Sequence, residues 1–253
     1  MMFFNQKEIY YTLLLLGLYS STASSAGHVQ THPPVHRNGY ALIQAGGHWL
    51  HQGQAQHINI NGLIGDDFTV TNHTDENYLV GLAYFVDGHH TKLFDMSYGL
   101  NAYYLAKTSV DGYVIQEGLF QNLSYHYNLE QFPIYVMARA ALNTKNPDYG
   151  FIIDVGAGPN VINAHNFKEN SLDGQTLPDM IYSRDNAAQF SATAGIHVKL
   201  NRVIRSGVPL ECGYRFFYLG KGHFSSINDQ VIDPLSTGNM YANALICGLE
   251  FET

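Results

Sequence analysis

The stretch Phe190–Leu200 reads FSATAGIHVKL, and apolar side chains alternate along it with polar or small ones. A period of two residues is the pattern of a β-strand whose two faces meet different surroundings. One face carries Phe190, Ala192, Ala194, Ile196, Val198 and Leu200, and the other carries Ser191, Thr193, Gly195, His197 and Lys199. The stretch therefore predicts a strand with an apolar environment on one side and a polar environment on the other.

The same alternation recurs in seven further segments. They are Tyr40–Leu50, Tyr78–Val86, Phe94–Tyr104, Leu119–Leu142, Phe151–Val161, Leu210–Tyr218 and Leu245–Phe251. No run after residue 26 approaches the roughly 20 apolar residues that a membrane-crossing helix needs. If the mature chain enters a bilayer, it must do so as closed strands, because every backbone polar group needs a partner there.

The segment Leu119–Leu142 leaves the strand number open. Two strands with a turn at Glu130–Pro133 would make nine in all, which leaves one terminus on the wrong side of a barrel. We therefore predict one long strand with a bulge near Gln131–Pro133, and eight strands in total. Apolar side chains stand at odd positions before the bulge and at even positions after it, as an extra residue would require. They are Leu123, Tyr125 and Tyr127, then Ile134, Val136, Ala138 and Ala140.

Short and long joints alternate along the chain. The short ones are Asp87–His90, Asn143–Asp148 and Asn201–Gly207, and the long ones are His51–Asn77, Lys107–Gly118, Ala164–Asn186 and Lys221–Asn239. Tight turns on one face and large loops on the other are typical of a membrane β-barrel. The predicted fold is all-β: an eight-stranded antiparallel up-and-down transmembrane β-barrel with short periplasmic turns and long extracellular loops.

The first residues predict export. Lys7 precedes an apolar run that contains Leu13–Leu16, and small residues stand before Gly27. This is the pattern of a secretory signal peptide, and the apolar run is too short for a membrane anchor. We therefore predict a cleaved signal peptide over residues 1–26, a short periplasmic segment over 27–38 and one barrel domain over 39–253.

Composition excludes other classes of protein. Charged residues make up 13% of the chain, against about 25% in ordinary soluble domains. The net charge is −8 and there is no basic run, so nucleic acid is not an expected partner.

Charged residues on the polar faces predict a filled barrel interior. An eight-stranded barrel is only wide enough inside for side chains, and a buried charge without a partner is costly. We predict a paired network that seals the barrel, with a polar pore or a proton path as the functional alternative. Its members are Asp95, Arg139, Asp154, Lys199, Glu211, Arg215 and Glu250.

The chain resembles the opacity-type, OmpA-like outer-membrane β-barrel proteins of Gram-negative bacteria. The resemblance runs from about Gly39 to Phe251 and includes the strand Glu211–Phe216 and the closing strand Leu245–Phe251. It implies location in the outer membrane, contact with lipid and lipopolysaccharide, and insertion by the outer-membrane assembly machinery. It also implies adhesion, contact with host-surface molecules or a role in envelope integrity, with no catalytic residue and no cofactor.

Three alternatives stay open. Ser124 and His126 share a strand face, which would suit an enzyme that modifies lipid A at the outer rim. A small porin would need an open interior, and a soluble lipocalin-like barrel would need its apolar residues turned inward. The thirteen histidines form no pattern that completes a metal site.

Cys212 and Cys247 lie on consecutive predicted strands and on the apolar face. A hairpin with Gly220 opposite Met240 would place Cys212 nearest Gly248, one residue away from Cys247. Because a disulfide needs matched Cβ positions, this register favours two unpaired thiols that face lipid.

The long joints are rich in acidic residues. They carry Asp66, Asp67, Asp75, Glu76, Asp173, Asp179 and Asp229 against few cations. Loops on a rigid scaffold are where recognition is most often found. We therefore expect a cationic or carbohydrate partner rather than an anionic one, with a merely hydrated coat as the alternative.

Overall fold

The computed structural model describes residues 39–252 except 143, 145, 147, 179–180, 202–207 and 228. The predicted signal peptide over 1–26 and the periplasmic segment over 27–38 lie outside the described residues. Among those described, no helix is both long and apolar enough to cross a membrane. The strands are β1 (Gly39–His51), β2 (Gln56–Ile58), β3 (Asp66–Phe68), β4 (Thr74–His90), β5 (Phe94–Gln116), β6 (Phe120–Leu142), β7 (Tyr149–Ser171), β8 (Tyr182–Ser183), β9 (Asp185–Leu200), β10 (Leu210–Ser226) and β11 (Leu235–Glu252).

Eight long strands close into a ring. The order around it is β4, β1, β11, β10, β9, β7, β6 and β5, and β5 pairs again with β4. Every pairing is antiparallel. The short strands add to the extracellular end, where β2 pairs with β3, β3 with β5 and β8 with β10. The predicted eight-stranded barrel is confirmed.

The long strand β6 is continuous, as predicted, but the predicted bulge in it is wrong. Gln131, Phe132 and Pro133 pair in regular register with Ile162, Val161 and Asn160 of β7. Inward side chains stay at odd positions from Leu123 to Arg139. Two irregularities lie in the neighbouring strands, between Leu105 and Thr108 of β5 and opposite the step from His126 to Asn128. A third lies near the start of β6, where Leu123 and Gln121 face the consecutive residues Val114 and Ile115.

The apolar residues of β6 change sides because the surroundings of the strand change. In the half nearest the periplasm, which we call the membrane section, large apolar side chains point outward; they include Val80, Leu82, Leu100, Ile134, Val136, Phe151, Ile153, Phe190, Ile196 and Leu245. This contradicts the alternative of a soluble lipocalin-like barrel, in which such residues face inward. A closed barrel with an apolar outer belt is the surface of a protein embedded in lipid.

The other half, which we call the outer section, has the opposite polarity. It comprises β2, β3, β8 and the extensions 107–116 of β5, 120–129 of β6, 164–171 of β7, 220–226 of β10 and 235–240 of β11. Its outward residues include Lys107, Asp111, Ser124, His126, Lys168, Asn170, Lys221 and His223. Such a wall with polar residues outside and apolar ones inside is suited to water. Most of the predicted loop Lys107–Gly118 is therefore strand, and that boundary was wrong.

Aromatic rings fill the outer section. Phe68, Tyr125, Tyr127, Phe167, Tyr182 and Phe224 are all buried, and their neighbouring ring centroids lie 4.9 to 6.5 Å apart. We call this set the aromatic core. Rings at these separations pack favourably beyond their buried area. The core closes the barrel above the membrane.

One predicted turn is displaced. Asp87–His90 belongs to β4, with a register irregularity, and the chain reverses after it at residues 91–93. The two other predicted short joints agree with the strand ends, since β6 ends at Leu142 and β9 ends at Leu200.

Cys212 and Cys247 form a disulfide, so the expectation of unpaired thiols was wrong. Gly220 does pair with Met240, as predicted, but Tyr218 pairs with Tyr241. Leu219 is an extra residue between them, and Gly220 adopts a φ of 83° beside it. This bulge shifts the remaining register by one and brings Cys212 opposite Cys247. Both residues point away from the barrel interior, as predicted.

Candidate functional site

Four strands place charged side chains at one level of the barrel interior. Arg139 of β6 forms an ion pair with Glu211 of β10, and Nη2 of Arg215 lies 2.7 Å from Oδ2 of Asp154 on β7. His197 of β9 stands between the two pairs. We call these five residues the ion network, and each side chain in it is at most 2% exposed.

His197 links the two ion pairs. Its Nε2 lies 3.2 Å from Asp154 Oδ2 and 3.1 Å from Arg215 Nη2, and its Nδ1 lies 3.5 Å from Glu211 Oε1. This residue is absent from the network predicted from the sequence. The signal that could have found it was its place on the inward face of Phe190–Leu200, beside Thr193 and Gly195.

Aromatic rings cover the guanidinium groups. The Cζ atom of Arg139 lies 4.9 Å from the ring centroid of Phe85 and 5.8 Å from that of Tyr40, and Arg215 lies 5.6 Å from Tyr103. A desolvated cation over a ring face gains electrostatic energy. The two arginines are therefore held by carboxylates on one side and by rings on another.

Two more of the predicted residues form a separate pair nearer the periplasm. Nζ of Lys199 donates to Oε1 of Glu250 at 2.6 Å. Asp95 does not join the network: it lies 3.0 Å from His90 at the periplasmic rim, and its side chain is 43% exposed. A cavity of about 300 Å³ opens at this rim, between Tyr40 and Arg139.

The ion network also contains a possible set of metal ligands. Single donor atoms of Asp154, His197 and Glu211 all lie within 4.8 Å of one another. Both carboxylates, however, already bind guanidinium groups, which balance their charges. A metal cation among these donors would be repelled by the positive charges of two arginines. The donor set therefore fits an ion-pair network better than a metal centre.

Neutral polar side chains continue the network toward the outer section. Asn101 donates to Gln44 at 3.0 Å, and the hydroxyls of Tyr135 and Ser191 lie 2.6 Å apart. Further up, Asn160 donates to Gln131 at 2.6 Å. These bonds pair the named donors, whereas Oδ1 of Asn101 and Oδ1 of Asn160 accept no hydrogen bond from the described residues. The aromatic core follows directly above these polar side chains.

Ser124 and His126 lie on the outward face of the outer section and have separate partners. Nδ1 of His126 lies 2.8 Å from Asp111, a carboxylate that was not part of the predicted Ser–His pair. Nε2 of His126 lies 3.1 Å from Asn128, while Ser124 Oγ donates to the carbonyl of Asn170 at 3.5 Å. A catalytic histidine must present Nε2 to its serine, and here Nε2 is directed to Asn128.

The extracellular end contains a cavity of about 330 Å³, which we call the extracellular cavity. Its walls come from the chain between β2 and β3, the turn between β5 and β6, the end of β7, the residue before β8 and the chain between β10 and β11. The lining residues are Ile60, Leu63, Asp66, Gln116, Glu117, Phe120, Leu123, Glu169, Ile181, Gln230 and Val231. It combines carboxylates with apolar side chains.

A hydrogen bond beside the cavity fixes the β2–β3 hairpin. Nδ1 of His57 lies 2.7 Å from Asp67 Oδ1, and its Nε2 lies 3.1 Å from the carbonyl of Ile64. The bond to Asp67 raises the pKa of His57 above its ordinary value. The carboxylate of Asp67 is thus engaged outside the cavity.

Comparison with known proteins identifies the fold. No protein-family model and no curated protein matches the chain. Among solved structures, the outer membrane protein OprG from Pseudomonas aeruginosa is similar, with a TM-score of 0.50 and 12% identity over 85% of this chain and 97% of that one. The outer membrane protease OmpT from Escherichia coli gives a TM-score of 0.46 with 9% identity over 85% and 97%. Neisserial surface protein A gives 0.44 with 10% identity over 84% and 95%.

The chain therefore has the fold of an eight-stranded outer-membrane β-barrel, as the resemblance in the sequence implied. The apolar belt of the membrane section agrees with that location.

Proposed function

We propose that this protein is a non-conducting, non-enzymatic outer-membrane barrel that presents its extracellular end for contact with host or environmental molecules. The observation that supports this is the closure of the interior at two levels. The ion network fills the membrane section and the aromatic core fills the outer section. In a barrel filled in this way, a partner molecule in water can reach polar side chains at the ends but not in the interior.

The rim of the extracellular end supports a role in contact. Apolar side chains at the tips of several loops are exposed although the outer section stands in water. They include Leu63, Ile64, Leu119, Phe120, Leu177, Ile227 and Ile232. Clusters of exposed apolar residues mark interaction surfaces more often than chance.

The position of Ser124 and His126 supports a non-enzymatic role over lipid A modification. The two side chains have different partners, and no base among the described residues is directed at Ser124. Contact with lipid and lipopolysaccharide, and delivery by the outer-membrane assembly machinery, belong to the same proposal.

We expect purified, refolded protein in planar bilayers to show little steady conductance. The ion network and the aromatic core both fill the interior, and both would have to rearrange before ions could pass. Insertion is verified by a gel shift between boiled and unboiled samples, which closed barrels give in detergent. Large, regular single-channel steps from protein that passes this control would contradict the closed interior and favour the small porin.

We expect removal of the exposed tip at residues 173–178 to alter attachment of cells to host surfaces without loss of insertion. The cut spares Phe167 and Tyr182, which belong to the aromatic core. Attachment is counted on cells that carry equal amounts of heat-modifiable barrel. Recognition at the loops is refuted if attachment is unchanged after this tip and residues 61–64 and 229–232 are all replaced by short Gly-Ser turns.

A further inference from the structure

We propose that the extracellular cavity binds a lysine or arginine side chain of a partner peptide, with Asp66 as its anchor and apolar residues of the peptide on the rim. This inference rests on the proposed function, since it names the chemistry of the partner at the same end of the barrel.

Asp66 is a buried carboxylate with an unused oxygen. Its residue is only 9% exposed, and it lines the cavity. The backbone N–H of Glu117 donates to Oδ1 at 3.1 Å, whereas no described residue donates to Oδ2. Oδ2 is not among the fully buried oxygens that lack a partner, so it is open to a cation that enters the cavity. A cation there would form a charge-assisted hydrogen bond with it.

The charges of the lining residues are all of one sign. Asp66, Glu117 and Glu169 carry carboxylates, and the other lining residues include no lysine, arginine or histidine. His57 acts to lower the pKa of Asp66, but its ring is hydrogen-bonded to Asp67 outside the cavity. Burial raises the pKa of Asp66, and the carboxylate of Glu117 adds to this effect. A bound ammonium or guanidinium group would act in the opposite direction.

The rim determines what kind of cation fits. Leu63, Ile64, Leu119 and Phe120 are 60 to 73% exposed around the opening. Lysine and arginine place an apolar stem between the backbone and the charged group, which matches an apolar rim above a carboxylate. A hydrated metal ion or a sugar would leave these side chains without an apolar contact. The cavity volume of about 330 Å³ lies at the low end of ligand pockets, so it fits one side chain.

The test uses the full barrel refolded into nanodiscs of neutral lipid. The probe is a fluorescent six-residue peptide with one central lysine among leucine and serine residues, and its matched control has norleucine in place of lysine. We expect the lysine peptide to bind at least about tenfold more tightly than the norleucine peptide. The Asp66→Asn variant should remove this difference. The Asp111→Asn variant, which removes the same charge from the outward wall, should leave it unchanged.

Several results would overturn the inference. It fails if both peptides bind equally, if Asp66→Asn binds the lysine peptide as tightly as the unmodified protein, or if neither peptide binds. It also fails if spermidine saturates the site while the peptide does not compete. The comparison of the two peptides uses unmodified protein, so the test does not depend on the folding of Asp66→Asn. Failure here leaves the proposed function intact, because conductance and cell attachment judge that function separately.

Discussion

Replacement of Arg139 by alanine should lower the free energy of unfolding by about 3 to 5 kcal/mol, because it leaves a buried carboxylate without its cation. Glu211 is 2% exposed and has Arg139 as its ion-pair partner. The nearest remaining group is His197, whose Nδ1 lies 3.5 Å from the carboxylate. The single tryptophan, Trp49, reports unfolding by fluorescence as urea is raised in detergent micelles.

Two control variants separate lost charge pairing from lost packing. Lys199→Met removes a cation that is 26% exposed and leaves Glu250, which is 7% exposed, so its effect should be smaller than that of Arg139→Ala. The double variant Arg139→Met with Glu211→Leu removes both members of the pair and should recover most of the loss. A loss below about 1 kcal/mol for Arg139→Ala would show that the ion network contributes little to barrel stability.

Loss of the Cys212–Cys247 disulfide should lower the free energy of unfolding by about 3 to 4 kcal/mol, mainly by freeing the unfolded chain. The bridge closes a segment with a sequence separation of 35 residues, and the entropy that it removes grows with that length. Cys212→Ser, Cys247→Ser and the double variant should lose the same amount, since each removes the same bond. Urea unfolding of oxidised samples measures the loss.

Reduction provides a matched control for the cysteine variants. Treatment of the unmodified protein with a reductant after unfolding and before refolding should reproduce the loss, whereas the double serine variant should not respond. Equal stability of oxidised and reduced protein would mean that the bond does not constrain the unfolded chain.

The barrel could be predicted from the sequence because lipid imposes a strict pattern. Every outward residue of the membrane section must be apolar, so stretches such as Phe151–Val161 display the alternation plainly. The same rule explains why the bulge predicted in β6 was wrong. Tyr125 and Tyr127 are apolar and inward, whereas Ile134 and Val136 are apolar and outward. A change of surroundings and a shift of phase by a bulge give the same sequence pattern.

The contacts within the candidate sites could not be predicted, because they depend on strand register and on pairing between distant strands. The alternation of apolar and polar residues gives neither. The extra residue Leu219 has no signature of its own beyond the following Gly220, so the register of Cys212 was predicted one position out. His197 was not predicted because the network was assembled from lysine, arginine, aspartate and glutamate side chains alone. Asp66 and Glu117 are far apart in sequence, and only the pairing of β3 with β5 brings them together.

The continuous wall of β6 sets the height at which the extracellular end is held. Its 23 residues, at a rise of about 3.3 Å each and a tilt of about 40°, give a wall roughly 55 to 60 Å tall. The apolar belt of such barrels is about 25 Å tall. The barrel therefore holds Asp66 and the apolar rim of the extracellular cavity some tens of ångströms above the acyl chains. A partner can reach them there without contacting lipid.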